Sequence, residues 1–306
     1  MNGPPDIEIA ICTFQREHVA TTLASLARIE PPAGRRVAVI VADNDDTPSA
    51  RARVEACALP FPLRYIHAPA RNISVARNAC LEAARAPVLV FIDDDETVAP
   101  DWLVTLLAKQ AETGAEAVLG PAISVYPETA PGWMRRGDFH SSRATRVGGE
   151  IRTGYGCNTL LMREAPALAG LRFRHELGRS GGEDTVFLAE MHRRGGRIAY
   201  APKARVFEVV APHRARLGWL LRRKFRFGQT HGLLLRETGA GQGVARLRAV
   251  ALAAAKSALS LVLCGLNFAR PVARAKWLLR AVFHAGVVSK LTGGREAEPY
   301  GRDQPV

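Results

Sequence analysis

Four short apolar runs rich in β-branched residues, Ile7–Cys12, Val37–Ala42, Leu63–His67 and Val88–Ile92, alternate with amphipathic segments near Glu17–Ile29, Ser49–Cys57 and Ser74–Arg85. Runs of that length read as strands, and the segments between them carry helical periodicity. The alternation predicts βαβ units around a doubly wound parallel sheet. In such a sheet ligands bind beyond the C-terminal ends of the strands. Three polar sets fall at those ends: Thr13, the stretch Asp43-Asn44-Asp45-Asp46, and the tetrad Asp93-Asp94-Asp95-Glu96.

Further along, Pro100 is placed to open a helix with Leu103, Leu106 and Leu107 turned to the core and Gly114 past its end. Residues 127–153 lack periodicity and read as a long mobile loop near the site. Regular structure is expected again over Gly154–Met162 and in a helix near Asp184–Arg194. From Pro212 onward the chain becomes helical and basic. Ala249–Ala269 holds a single charge, Lys256, and is flanked by Arg246, Arg248, Arg270 and Arg274. Its length would just cross a bilayer, but alanine is weakly apolar. An interfacial helix or hairpin, with Leu252, Leu259, Leu263, Leu266 and Trp277 buried, fits the pattern better. Packing of these leucines on the rest of the protein stays open.

Charge sharpens that division. Of the 306 residues, 1–212 hold 25 Lys/Arg and 25 Asp/Glu, whereas 213–306 hold 17 and 4, so the net charge of +13 lies entirely in the last third. This is a basic appendage on a neutral body, suited to anionic lipid, a phosphorylated substrate or nucleic acid. The expected domains are 1–212 and 213–306. Cys12, Cys57, Cys80, Cys157 and Cys264 are odd in number and lack CxxC spacing. They suggest neither a disulfide framework nor a zinc site, with a reducing cytosol as the simplest setting. Residues Met1–Asp6 have no cationic start or apolar stretch, so no signal peptide is expected.

Four carboxylates at the end of one buried strand repel one another unless a cation sits among them. Asp93 and Asp95, spaced Asp-x-Asp, can offer oxygens to one hard divalent ion that keeps positions open for a diphosphate. An acidic turn leading into the next helix is the plainer alternative, and Glu96 alone suits a helix-start charge.

Ile9-Ala10-Ile11-Cys12-Thr13-Phe14, Val41-Ala42-Asp43-Asn44, Ala76-Arg77-Asn78, Phe91-Ile92-Asp93-Asp94-Asp95 and Gly182-Glu183-Asp184 follow in this order. Together they resemble family 2 inverting glycosyltransferases of the GT-A fold, an α/β Rossmann-like mixed sheet flanked by helices. The subgroup building bacterial exopolysaccharides, similar to succinoglycan β-glucosyltransferases, is the nearest resemblance. It covers residues 7–212 well and the basic helical third only loosely. The resemblance implies that Thr13 and Asp43 bind the nucleoside and that Arg77 helps to shape the donor site. Taken alone, Thr13 reads rather as a capping hydroxyl and Asp43 rather as an Asx-turn residue, while Arg77 is equally a solvated helical charge. It further implies that Asp93 and Asp95 hold Mg²⁺ or Mn²⁺ against the diphosphate, with Asp94 toward the donor sugar. Asp184 would be the base and Glu183 its support, although the pair also suits a helix N-terminus. Gly154-Tyr155-Gly156-Cys157-Asn158 resembles, more weakly, the glycine-rich segment beside the donor sugar.

In place of the family's Gln-x-x-Arg-Trp motif the chain has Arg222-Arg223-Lys224-Phe225-Arg226-Phe227-Gly228-Gln229. That departure argues against processive polymerisation and leaves a basic segment suited to a phosphate. His213 is a further metal or diphosphate candidate, or merely polar surface. Gly239-Ala240-Gly241-Gln242-Gly243 has no strand before it and no acid about twenty residues on, so a loop is expected there. The expected reaction is transfer from a nucleotide sugar, UDP-linked, to a polyprenyl-diphosphate-linked or other glycan acceptor. Its place is the cytoplasmic face of the inner membrane, against an anionic surface, without nucleic acid. A sugar nucleotidyltransferase is the alternative enzyme, but Thr13-Phe14-Gln15-Arg16 lacks the glycine-rich loop a triphosphate requires. A non-catalytic membrane or nucleic-acid scaffold, faintly supported by Lys224-Phe225-Arg226-Phe227, leaves both acidic motifs unexplained.

Overall fold

The computed structural model describes residues 3–239, 241–296 and 298. The chain forms two compact units, one from residues 3–123 and 141–208, the other from Ser124–His140 and Val209–Glu298.

The first unit opens with β1 (Ile7–Thr13), α1 (Val19–Leu26), β2 (Val37–Asp43), α2 (Arg51–Glu55), β3 (Leu63–His67), α3 (Ile73–Ala83) and β4 (Val88–Asp93). It continues through β5 (Glu96–Val98), α4 (Trp102–Thr113), β6 (Ala117–Leu119) and β7 (Ala122–Val125). After α5 (Gly132–Gly137), which belongs to the other unit, come β8 (Thr159–Met162), α6 (Glu183–Arg193), β9 (Ile198–Tyr200) and β10 (Val206–Val209). Seven strands line up as β3-β2-β1-β4-β8-β6-β9, and three more form a small sheet β5-β10-β7. The βαβ prediction holds for β3-β2-β1-β4, which are all parallel. β8 runs antiparallel to both β4 and β6, so the whole sheet is mixed.

Alternation along the strands fills two cores. Ile7, Ile9 and Ile11 of β1 enter one, with Val19 and Leu23 of α1 and Trp102, Leu103 and Leu106 of α4. Ala10 and Cys12 enter the other, with Ala76 and Cys80 of α3 and Phe187, Leu188 and Met191 of α6. A period of two sends neighbouring side chains to opposite faces, so one strand serves both helical layers. Cys12 and Cys80 are buried together as small hydrophobes, and no disulfide links the five cysteines. Leu107 is partly buried on the first core, and Gly114 caps α4 in the left-handed region at φ 61. The helix expected from Pro100 starts two residues later, at Trp102.

In the second unit α7 (Leu217–Glu237), α8 (Gly243–Leu266) and α9 (Pro271–Leu291) are long helices. The stretch expected as loop, 127–153, is only partly that. α5 lies within it because Ala130 and Met134 pack with Val210, Ala215, Leu220 and Leu279. This packing draws Ser124–His140 into the second unit, and the division falls at 208/209 where composition suggested 212. Gly239 and Gly241 lie between α7 and α8, while Gly243 already belongs to α8 and Ala240 is outside the described residues. The leader reading of Met1–Asp6 also falls partly outside them, at Met1 and Asn2, as do residues 297 and 299–306 of the basic third.

Candidate active site

Strand register gathers the acidic sets. Thr13 lies beside Asp43 across the β1–β2 pair, and Cys12 lies beside Asp93 across β1–β4. The C-terminal ends of three adjacent parallel strands therefore share one edge, where a doubly wound sheet binds its ligands. The Thr13 hydroxyl donates to Asp94 Oδ2 at 2.8 Å, and the Thr22 hydroxyl donates to the Asp94 carbonyl at 2.9 Å. Burial pushes the Asp94 carboxyl up to about 7, against the pull of Arg16.

Asp43 is fully buried, and its oxygens accept from the Asp45 and Ala50 amides, at 3.1 and 2.9 Å, and from the Tyr65 hydroxyl at 2.6 Å. The Asx-turn reading of Asp43 is thus realised. A nucleoside reaching this carboxylate would share it with Tyr65, a residue that sequence reasoning passed over.

Arg77 is the centre of the other half. Asn72 caps α3, accepting from the Ser74 and Val75 amides, and the helix then directs Arg77 inward. Its guanidinium donates to Glu183 Oε1 and, at 3.3 Å, to Asp93 Oδ1, and lies 3.8 Å from Asp184 Oδ2. The Phe173 ring lies under it at 5.6 Å. Burial opposes the charge, but Glu183, Asp184 and Asp93 outweigh it and push the Arg77 pKa up. A solvated helical charge is excluded, because the residue is 5% exposed.

Two glycines in the left-handed region, Gly181 at φ 82 and Gly182 at φ 90, lead into α6. No side chain caps that helix; Glu183 and Asp184 occupy its first turn instead, where the helix dipole favours acids. The two carboxylates differ. The Glu183 side chain is 5% exposed beneath Arg77, and burial pushes its pKa to about 7 despite that partner. The Asp184 side chain is 20% exposed, with Oδ2 accepting from the Gly156 amide at 2.6 Å and Oδ1 from the Thr185 amide at 2.6 Å. A Cβ at Gly156 would collide with the Arg77 guanidinium, so the glycine is what admits it.

Around the tetrad the side chains divide. Asp93 remains 44% exposed in its side chain, whereas Glu96 is buried and accepts from the Asp93 amide at 2.9 Å. Glu96 lies in β5, paired with Glu208, and so is no helix-start charge. Burial first, and Asp93 second, hold its pKa well above the usual range. Arg16, seen in the sequence only as part of a loop without glycine, pairs with Asp95 and lies 3.6 Å from Asp94. Gln15, in the left-handed region at φ 51, turns the chain there.

Among the described residues, Asp93, Glu96 and Cys157 bring possible ligand atoms within 4.8 Å of one another. Burial holds the Cys157 thiol protonated, and a thiol is a poor partner for a hard cation. The oxygens of Asp93 and Asp95 suit Mg²⁺ or Mn²⁺; burial first, with Asp95 adding to it, raises the Asp93 pKa. The donor set fits such an ion, with Arg16 supplying the positive charge at Asp95 here. His213 and Arg222–Gln229 belong to the second unit; the latter segment lies in α7, where Arg223 donates to the His140 carbonyl at 2.7 Å.

Residues 8–166 match the family described as glycosyl transferase family 2. The chain is 51% identical over 297 residues, 96% of each protein, to the succinoglycan biosynthesis protein ExoM of Rhizobium meliloti (strain 1021). It is 24% identical to the glucosyl-dolichyl phosphate glucuronosyltransferase of Haloferax volcanii, over 72% of this chain and 74% of that one. Among solved structures it resembles the mannosyltransferase PcManGT of Pyrobaculum calidifontis in complex with GDP-Man and Mn²⁺, at TM-score 0.63 and 19% identity, covering 95% and 88% of the two chains. Residues 1–349 of S. aureus TarS in complex with UDP-GlcNAc match at TM-score 0.53 and 17% identity, covering 96% and 98%.

Proposed function

Because the chain belongs to glycosyl transferase family 2, and is thus a glycosyltransferase of the GT-A fold, we propose that it is a metal-dependent, inverting and non-processive member. It moves a hexose from a UDP-sugar to a polyprenyl-diphosphate-linked or other glycan acceptor. The setting is exopolysaccharide synthesis of the succinoglycan type, at the cytoplasmic face of the inner membrane. The ExoM relationship supports the pathway class, and the missing Gln-x-x-Arg-Trp motif supports single transfer.

One observation carries the reading: Arg77 bonds Asp93 on one side and Glu183 on the other, with Asp184 3.8 Å away. The carboxylate for the leaving group and the carboxylates for the acceptor are thereby held in one rigid network. Asp93 and Asp95 would hold the divalent ion, which neutralises charge growing on the departing diphosphate. Thr13, Asp43 and Asp94 line the nucleoside and sugar side. Asp184, the more exposed of the α6 pair, takes the proton of the acceptor hydroxyl. The acceptor oxygen bonds to the anomeric carbon as the bond to the diphosphate oxygen breaks, so the configuration inverts. Glu183 keeps Arg77 and its neighbour in place. The test is a panel of UDP- and GDP-sugars with Mn²⁺, scored for nucleoside diphosphate release with and without membrane lipid extract. Release from a UDP-hexose that depends on lipid-linked acceptor is expected; full activity with metal chelated would overturn the metal assignment.

A further inference from the structure

The second unit buries Leu220, Leu279, Val287 and Leu291 but leaves one helix, α8, largely uncovered. α7 and α9 meet through glycine: a Cβ at Gly228 would fall on the Phe283 carbonyl, and one at Gly286 on the Phe225 carbonyl. Gly232, one turn beyond Gly228, would bring a Cβ to 3.0 Å from the Val287 carbonyl. Small residues at these points let the two backbones approach closely. α8 joins on the same terms. Ala253 and Ser260 are its buried residues, the Ser257 hydroxyl donates to the Ala281 carbonyl at 2.9 Å, and Arg246 Nε donates to the Leu291 carbonyl at 2.6 Å.

The large apolar side chains of α8 point the other way. Leu252, Leu259, Leu261 and Val262 are exposed, as are Leu266 at 75% and, just past the helix end, Phe268 at 72%. The most apolar window of the helix has a mean hydropathy of 1.9 and is 11% buried. A water-soluble helix turns leucine inward; here Leu252 and Leu259 face outward beside Ala251, Ala255 and Ala258, and the buried positions are Ala253 and Ser260.

Charge decides what covers this face. From Thr238 to Arg295 the sequence holds nine Lys/Arg and no Asp or Glu. Such a surface is complementary to anionic headgroups and repels a second copy of itself. The bonds from Arg246 to Leu291 and from Ser257 to Ala281 run α8 and α9 antiparallel. Exposed Arg280 then lies level with the middle of α8, close to the level of exposed Lys256. A hairpin crossing the bilayer would carry both charges to its centre, where they are costly.

We infer that α8 lies in the plane of one leaflet of an anionic bilayer, its leucine face among the acyl chains, with Lys256, on that same face, extending its stem to bring its ammonium to the headgroups and Arg248, Arg270 and Arg274 at the phosphates. This deepens the membrane part of the proposed function, and its test reads no sugar transfer. The full chain is floated with vesicles of phosphatidylcholine containing one-quarter phosphatidylglycerol, without donor or acceptor. Flotation that survives a high-salt wash is expected. Leu259→Glu with Val262→Glu, both at exposed positions, should cut binding by about tenfold or more while the helical circular dichroism persists. Arg248→Glu with Arg270→Glu should weaken binding to the anionic vesicles and leave pure phosphatidylcholine unaffected. In sealed vesicles, a membrane-impermeant thiol reagent should label both Val244→Cys and Ala269→Cys above the native background. Full release by salt, unchanged flotation of the leucine variant, or protection of either new thiol would overturn the inference. A lipid-free dimer that Leu259→Glu dissociates would instead assign the face to a second copy.

Discussion

The first unit hides its charges and the second displays its leucines. In the first, Glu183, Asp94, Glu96 and Arg77 are all buried, each against a named partner, around a core of isoleucine, leucine and tryptophan. In the second, glycines set the closest approaches of α7 and α9 and Leu279, Val287 and Leu291 are buried, while Leu266 and Phe268 face outward. Burying ions costs several kcal/mol each unless they are paired, and is sustained where geometry serves chemistry. Exposing leucine is sustained where the surrounding solvent is apolar. The two units thus differ in what they present, one a buried charge network and the other an exposed leucine face, as the proposed charged substrate and bilayer would require.

The largest expected effect breaks the first unit's chemistry alone. Asp184→Asn should lower sugar transfer by about 10²–10⁴-fold with UDP-sugar affinity retained, as seen by calorimetry beside a product assay. Unchanged turnover would remove Asp184 as the base. Next, Arg77→Met leaves three carboxylates without their cation. A loss of about 3–5 kcal/mol, read from denaturant unfolding, is expected. Adding Glu183→Gln should restore part of it, and no restoration would show that the pair is not coupled.

The third prediction tests the second unit. His140 is buried, with Nδ1 3.0 Å from the Tyr126 hydroxyl and Nε2 3.0 Å from the Arg214 carbonyl. Burial, with Arg223 and Arg214 nearby, lowers its pKa to about 4. Below the ordinary value of 6.5 the unfolded chain takes up a proton that the folded chain refuses. Stability present above pH 6.5 is therefore lost as pH falls toward 4, by about 3 kcal/mol at most. His140→Phe should flatten that part of the pH–stability curve; an unaltered slope would place the acid sensitivity elsewhere. The smallest effect concerns Arg16, whose side chain is 28% exposed. Arg16→Gln should tighten Mn²⁺ binding by a few fold, because a partly solvated competing cation is worth about 1 kcal/mol or less. Weaker Mn²⁺ binding would show that Arg16 helps to build the site.

What was readable along the chain follows from the range of the forces involved. The periods of two and 3.6 are local, so β1 to β4 and α1, α3 and α6 could be placed to within a few residues. The polar ends of β1, β2 and β4 were visible for the same reason. Arg77 was ambiguous because a lone arginine on a helix has no sequence signal for burial; Gly156 and Glu183, 79 and 106 positions away, decide it. Arg16 and Tyr65 were missed because their partners are distant in the chain, Asp95 in the turn between β4 and β5 and Asp43 at the end of the neighbouring strand β2. Glu96 was misread because its pairing strand, β10, is more than a hundred residues away.

The sequence by itself determined a parallel αβ core, carboxylates at its strand ends and a basic apolar-rich final third, since each depends on composition or local period. Only the tertiary structure decided which carboxylate is buried and which stays exposed, and that Arg77 joins the two acidic motifs. It also decided which way the leucines of α8 face. These are properties of desolvation and long-range contact, and neither exists until the chain has folded.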